Sequence, residues 1–257
     1  MDHETDTEAA RETATAGTPA APARRPRRRP GPVRRTLRLV ARIAAGATAA
    51  LGALVLLFAV VPVPVTPYMV AERIRGGSLA HDWIGWDAIP PAMARAAVAA
   101  EDANFCLHWG FDMEAIRDAI DEGRGRGAST ISQQVVKNVF LWQGRSWPRK
   151  AIEAALTPVV ELVWTKRRIL HVYLNSVEFG DGVFGVQAAA RHHFGVDAAD
   201  LSAVQAARLA AILPAPKRRD PANPTGFLRE RSRAILSGAE TIAADGRAAC
   251  FEAPTSG

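Results

Sequence analysis

The chain has 257 residues, 48% of them hydrophobic, enough for one domain of moderate size with a core of its own. Only two cysteines occur, Cys106 and Cys250, which excludes a disulfide framework and a cysteine-rich zinc site and leaves a single bridge open. The formal net charge is +6, but ten arginines against five acids in residues 1–42 supply +5 of it, so the rest of the chain is nearly neutral and presents no nucleic-acid surface.

Residues 1–23 are rich in Ala, Thr, Glu and Pro without apolar periodicity, and residues 1–36 are expected to form a disordered, Arg-rich tail. Ile43 to Val61 is a run of nineteen residues without a charge, ended by Pro62 and Pro64. That is the length a helix needs to cross ~30 Å of hydrocarbon, and a transmembrane helix is expected over 37–62. The arginines before it, from Arg24 to Arg42, keep that side cytoplasmic by the positive-inside rule, so the remainder lies outside the membrane. No Ala-x-Ala site with suitable flanks follows, which favours an uncleaved anchor. Residues 63–82, with prolines and glycines, read as a linker.

Everything beyond the linker reads as helical. Pro90 and Pro91 open a helix through Met93 to Ala103 that carries Glu101 and Asp102 at its C-terminal end. Negative charge there opposes the helix dipole and makes a carboxylate more basic, which points weakly to function. Asp112 can cap a helix reaching about Asp121, Ser129 or Thr130 the next, and Ser146-Trp147-Pro148 starts a long one. On the last of these Arg149 and Glu153 share a face, an ordinary solvated ion pair if it stood alone. Thr165 to Asn175 is amphipathic, the glycines at 180, 182 and 185 break the chain before Val186 to His193, and two further helices run to Leu213 and from Pro224 to Ala243. No segment alternates as a strand, and residues 246–257 read as a C-terminal tail. The adjacent His192 and His193 read as packing or surface residues, not metal ligands.

Four segments occur in a specific order: Glu-Asp-x-x-Phe-x-x-His-x-Gly at 101–110, Gly-Ala-Ser-Thr-Ile-Ser-Gln-Gln at 127–134, Arg-Lys-x-x-Glu at 149–153, and Lys-Arg-Arg-Ile-Leu-x-x-Tyr-Leu-Asn at 166–175. With Glu178-Phe-Gly-Asp-Gly-Val-Phe-Gly-Val186 as a fifth, the set resembles the peptidoglycan glycosyltransferases, glycosyltransferase family 51, over residues 83–240, and within them the monofunctional biosynthetic type. The resemblance implies a mainly α, lysozyme-like glycosyltransferase domain over 83–245, held by the N-terminal helix at the outer face of the cytoplasmic membrane. It implies polymerisation of lipid II into glycan strands, by transfer of the growing chain from undecaprenyl pyrophosphate to an acceptor 4-hydroxyl, and inhibition by moenomycin. None of the four lysines lies three residues after a serine, so the Ser-x-x-Lys of a transpeptidase is absent.

By the same resemblance Glu101 is the catalytic base and Glu153 the second carboxylate, beside the pyrophosphate. Such a leaving group needs neutralised charge more than a general acid, and Lys137, Arg145, Arg149 and Lys150 are the expected cations. Ser132, Gln133 and Gln134 are expected to hold sugar or pyrophosphate, while Asp102, Phe105, His108, Gly110, Ser129, Thr130 and Asn138 support the motifs. No tightly bound cofactor is implied, with a divalent cation (Mg or Mn) on Glu153 beside the pyrophosphate left open. The implied partners are lipid II, the growing glycan strand, the membrane and proteins of wall synthesis or division. In three respects the chain departs from the family pattern: a short segment at 122–128, Ile152 in place of a basic residue, and His193 in place of a tyrosine. A lytic transglycosylase, which shares the helical fold and cuts existing glycan with one glutamate, is the rival enzyme class, and a non-catalytic membrane scaffold the other.

Overall fold

The computed structural model describes residues 32–121, 129–144 and 146–252, which form two units divided between Gly46 and Ala47. Residues 1–31 of the expected tail lie outside the described residues, as do Glu122 to Ala128, Arg145 and residues 253–257. Helix α1, Pro32–Phe58, begins at a proline suited to a first helical turn and stops short of Pro62. It therefore starts before the expected 37, and residues 32–36 are helical rather than tail. From Val33 to Phe58 it is long and apolar enough to cross a membrane.

The segment 63–82 is not a plain linker. It contains helix α2, Pro67–Ile74, which Thr66 caps by accepting from the Met69 amide, and strand β1, Ala80–His81. Met69 and Glu72 are buried, so the folded domain begins before residue 83. The prolines and glycines that suggested a linker are the caps and turns of these short elements.

The core has two halves. In one, α3 (Pro91–Glu101) packs against α9 (Ala203–Ile212) and α10 (Gly226–Ala244). Small residues let these axes approach: Ala94, Ala96 and Ala97 meet Ala206, Ala207, Ala210 and Ala211 in the buried interior. A Cβ added at Gly238 of α10 would sit 3.3 Å from Ala99 of α3. In the other half α5 (Ile131–Phe140) packs against α6 (Trp147–Val163) and α7 (Lys166–Ser176). Tyr173, Phe105, Phe179, Phe184 and Phe251 are fully buried between and around these layers, each contributing about 1.5–3 kcal/mol by leaving water. Helices α4 (Met113–Asp121) and α8 (Val186–Phe194) complete the described helices.

Contrary to the all-helical expectation, β2 (Glu178–Gly180) and β3 (Val183–Phe184) form an antiparallel pair, and β1 joins β3 in parallel. Strands of two or three residues buried on both faces carry no alternation for a sequence pattern to show. The turn between them needs Gly182, at φ +70°, where a Cβ would lie 1.9 Å from the Ser78 carbonyl oxygen.

Residues 246–252 are not a loose tail. Cys250 is bridged to Cys106, Phe251 is fully buried, and Glu252 receives both Nε and Nη2 of Arg95, at 2.6 and 3.0 Å.

Candidate active site

Glu101 is the last residue of α3, and Asp102 is its C-cap. Asp102 spends one carboxylate oxygen on His108, 2.8 Å from Nε2, and accepts the first amide of α5, from Ile131, on the other at 2.9 Å. Thr130 donates its hydroxyl to the Gly110 carbonyl at 2.6 Å and caps α5 in a reciprocal box with Gln133. Gly110 has φ +81°, and a Cβ there would fall 2.6 Å from the Thr157 methyl. Asp102, His108, Gly110 and Thr130 thus lock the turn after α3 onto α5 and α6. Phe105 is buried beneath this turn, with the Lys166 ammonium 4.5 Å over its ring.

This turn fixes Glu101 against α5. Gln134 donates to Glu101 through Nε2 at 2.9 Å, while the Tyr173 hydroxyl reaches the Gln134 carbonyl oxygen at 3.5 Å. Burial raises the proton affinity of Glu101 above the ordinary carboxylate range, against the opposing pull of the Gln134 bond and of Arg231 and Lys137. Glu101 lines an open cavity of about 290 Å³ with Asp102, Asn104, Asp112, Ser129 and Thr130.

Lys137, one turn further along α5, lies within the electrostatic reach of both carboxylates. Burial lowers its basicity, and Glu153 and Glu101 both act to restore it. Glu153 on α6 is buried and takes Arg149 Nη1 on one oxygen at 3.0 Å and the Lys150 ammonium on the other. Arg149 keeps a buried Nε without a hydrogen-bond partner among the described residues. Ser146, the α6 cap, joins Arg149, Lys150 and the 88%-exposed Trp147 around a second cavity of about 310 Å³. A basic carboxylate and a separate cationic pocket can draw a proton on one side and receive an anion on the other.

Residues 69–240 match the family model described as Transglycosylase. The chain belongs to that transglycosylase family. A biosynthetic peptidoglycan transglycosylase of Jannaschia sp. (strain CCS1) is 63% identical over 205 residues, covering 78% of this chain and 86% of the relative. Those of Caulobacter vibrioides and Rhodospirillum centenum are each 46% identical, over 200 and 225 residues, covering 76% and 86% of this chain and 87% and 97% of their own.

Not every residue assigned to the site from the motifs of this transglycosylase faces a cavity. Ser132 is fully buried and donates its hydroxyl to Glu161, which also pairs with Lys166 at 2.8 Å. Gln133 gives its side-chain oxygen to the Thr130 amide. The Ser132 hydroxyl is thus taken by Glu161 of α6, and the Gln133 side-chain oxygen by the start of α5. Asn138 is buried on α5, Ser129 is exposed at the cavity edge, and Arg145 lies outside the described residues. Ile152 is 38% exposed, and His193 approaches the Phe179 carbonyl with Nε2 at 2.9 Å.

The charge of Arg231 on α10 helps to hold down the proton affinity of Glu101, and the charge of Glu101 is felt in turn by Arg219. Nothing separates Arg231 from Arg229 and Arg233 in the sequence; the packing of α10 on α3 selects it. The surroundings of Glu153 do not fit a resident divalent cation, which wants several oxygen donors, because this single carboxylate is already shared by Arg149 and Lys150 near Lys137. Asp102, His108 and Asp112 bring ligand atoms within 4.8 Å of one another, but both Asp102 oxygens are already bonded.

Proposed function

We propose that the protein polymerises lipid II into peptidoglycan glycan strands, transferring the growing chain from undecaprenyl pyrophosphate to the 4-hydroxyl of an acceptor sugar with inversion. One observation carries this reading: on the same packed helices, a half-buried Glu101 held at 2.9 Å by Gln134 of α5, and a buried Glu153 of α6 that holds Arg149 and Lys150 at a cavity. Glu101 takes the acceptor hydroxyl proton as the oxygen attacks the anomeric carbon. The carbon–oxygen bond to the diphosphate breaks, and the departing negative charge falls to Lys137, Arg149 and Lys150, with Arg145 as a further cation. Glu153 holds Arg149 and Lys150 in place and is not required to give a proton, since a diphosphate leaves without one.

The names of the relatives and the family match support the peptidoglycan substrate. The apolar helix Val33–Phe58 supports a single-pass anchor, and the arginines before it support a cytoplasmic N-terminus. A disulfide between Cys106 and Cys250 suits an oxidising, extracytoplasmic compartment for the catalytic domain. Absence of a Ser-x-x-Lys motif supports glycan transfer without transpeptidation.

The deciding experiment gives labelled lipid II to the detergent-solubilised protein, with and without moenomycin. The expected result is a polymer longer than a tetrasaccharide, abolished by moenomycin and by Glu101→Gln. Soluble fragments released from purified cell wall, with no polymer formed from lipid II, would instead establish a lytic enzyme.

A further inference from the structure

The outer end of α1 is bonded to the catalytic domain rather than tethered to it. A helix ends with carbonyl groups that lack intrahelical partners, and near a membrane surface such groups are costly to leave bare. Here the domain supplies donors: Arg168 Nε donates to the Phe58 carbonyl at 2.9 Å, and the indole N–H of Trp164 adds a second donor, at 2.7 Å, to the Val55 carbonyl that already takes the Ala59 amide at 3.1 Å. Arg168 Nη2 continues to the Val61 carbonyl, three residues past the helix end. Val55 and Val63 are each 1% exposed, so both flanks of this junction belong to the core.

The donors are themselves held. The Arg168 guanidinium lies 5.5 Å from the Trp83 ring and 5.9 Å from that of Trp164, and burial draws its basicity down. Trp164 is the C-cap of α6, and its ring is 5.9 Å from that of Phe140, the last residue of α5. Phe140 in turn packs 6.2 Å from Phe58. Helix α5 carries Gln134 and Lys137, and α6 carries Arg149, Lys150 and Glu153. The anchor end is therefore seated on the C-terminal ends of the two helices whose other residues build the site.

We propose that Arg168, in the first turn of α7, and Trp164, at the end of α6, are positioning residues, which mount the outer end of the anchor helix rigidly on α5, α6 and α7 and so hold the cleft at a fixed distance from the membrane surface. The proposal rests on the reading that the substrate is membrane-borne: a diphosphate confined to the interface reaches the cations only if their height is set. A cation beside the C-terminal carbonyls also suits the helix dipole.

The test compares Arg168→Ala, Arg168→Lys and Trp164→Phe with the unaltered protein in two settings, lipid II in proteoliposomes and lipid II in detergent micelles. In micelles, where no bilayer fixes the substrate plane, Arg168→Ala should remain within about twofold, whereas in bilayers it should lose on the order of tenfold through a raised KM. Arg168→Lys, able to reach one carbonyl but not two, should recover part of the loss. Trp164→Phe removes the indole N–H and part of the buried ring while keeping an aromatic face, and should fall in the same direction if Arg168→Ala does not fold. Equal losses in both settings, or none in bilayers, would overturn the proposal. Failure of the unaltered protein to polymerise lipid II in micelles would overturn the functional reading instead.

Discussion

Gln134 Nε2 lies 2.9 Å from Glu101 Oε2, tying the last residue of α3 to the first turn of α5. This bond favours the charged carboxylate, against a burial that favours the neutral one, and burial is the larger effect. The balance leaves Glu101 a stronger base than an exposed glutamate, with an acidic limb to its activity. Gln134→Ala removes the opposing bond and should move that limb to higher pH, seen as a shift in the pH profile of kcat/KM. Glu101→Gln should lower turnover by roughly 10²–10⁴, the usual range for loss of a general base, while lipid II still binds.

The same carboxylate costs stability. A folded-state pKa raised above the unfolded value means the folded protein binds the extra proton, so stability falls as pH rises through that window. Glu101→Gln cannot ionise and should melt at a higher temperature than the unaltered protein at neutral pH. Below the ordinary carboxylate pKa the two melting points should converge. Melting curves against pH check this, and an equal offset at every pH would exclude the linkage.

Glu153 is predicted to matter for folding as much as for turnover. Its side chain is 3% exposed and that of Arg149 10%, and Glu153→Ala would leave Arg149 with a buried charge and Lys150 without its carboxylate. Breaking a buried pair by removing one partner costs about 3–5 kcal/mol. Urea denaturation should show a loss of that order. Stability equal to that of the unaltered protein would mean that the pair is dispensable.

The bridge between Cys106 and Cys250 closes a separation of 144 residues, and the chain-entropy argument gives about 4–5 kcal/mol for a loop of that size. Cys106→Ser, Cys250→Ser and a thiol reductant should each lower stability in denaturant titrations, and the reductant should add nothing to either variant. The Arg247 side chain on the Ala103 carbonyl at 3.2 Å and Arg167 on the Phe251 carbonyl at 2.8 Å keep the segment in place when the bridge is open. Turnover should therefore survive reduction better than stability does.

Much of the helical framework around Glu101 and Glu153 was readable from residue order. Pro91, Asp112, Thr130 and Ser146 start their helices where proline geometry and side-chain caps require it. Placing Glu101 at a helix end and Arg149 four residues before Glu153 on one face follows from helical spacing alone. One residue type can serve two purposes: Ser132 and Gln133 have the polar groups a sugar site wants, and in the fold the Ser132 hydroxyl also bonds Glu161 and the Gln133 oxygen also caps α5, which spacing alone does not show. Short elements were also invisible, since β1, β2 and β3 are too brief to show a period and α2 lies among prolines and glycines.

The sequence alone accounts for the longer helices, the apolar anchor and the order of the acidic and basic groups, because backbone preference, hydrophobic length and side-chain spacing act over a few residues. Only the tertiary structure decided that Arg231 acts on Glu101, that Arg168 and Trp164 receive the end of α1, and that Cys250 returns to Cys106. Those pairs are separated by about a hundred residues or more, and bringing such distant groups together depends on how buried apolar faces fit one another. That fit is a property of the packed core as a whole and leaves no local pattern in the chain.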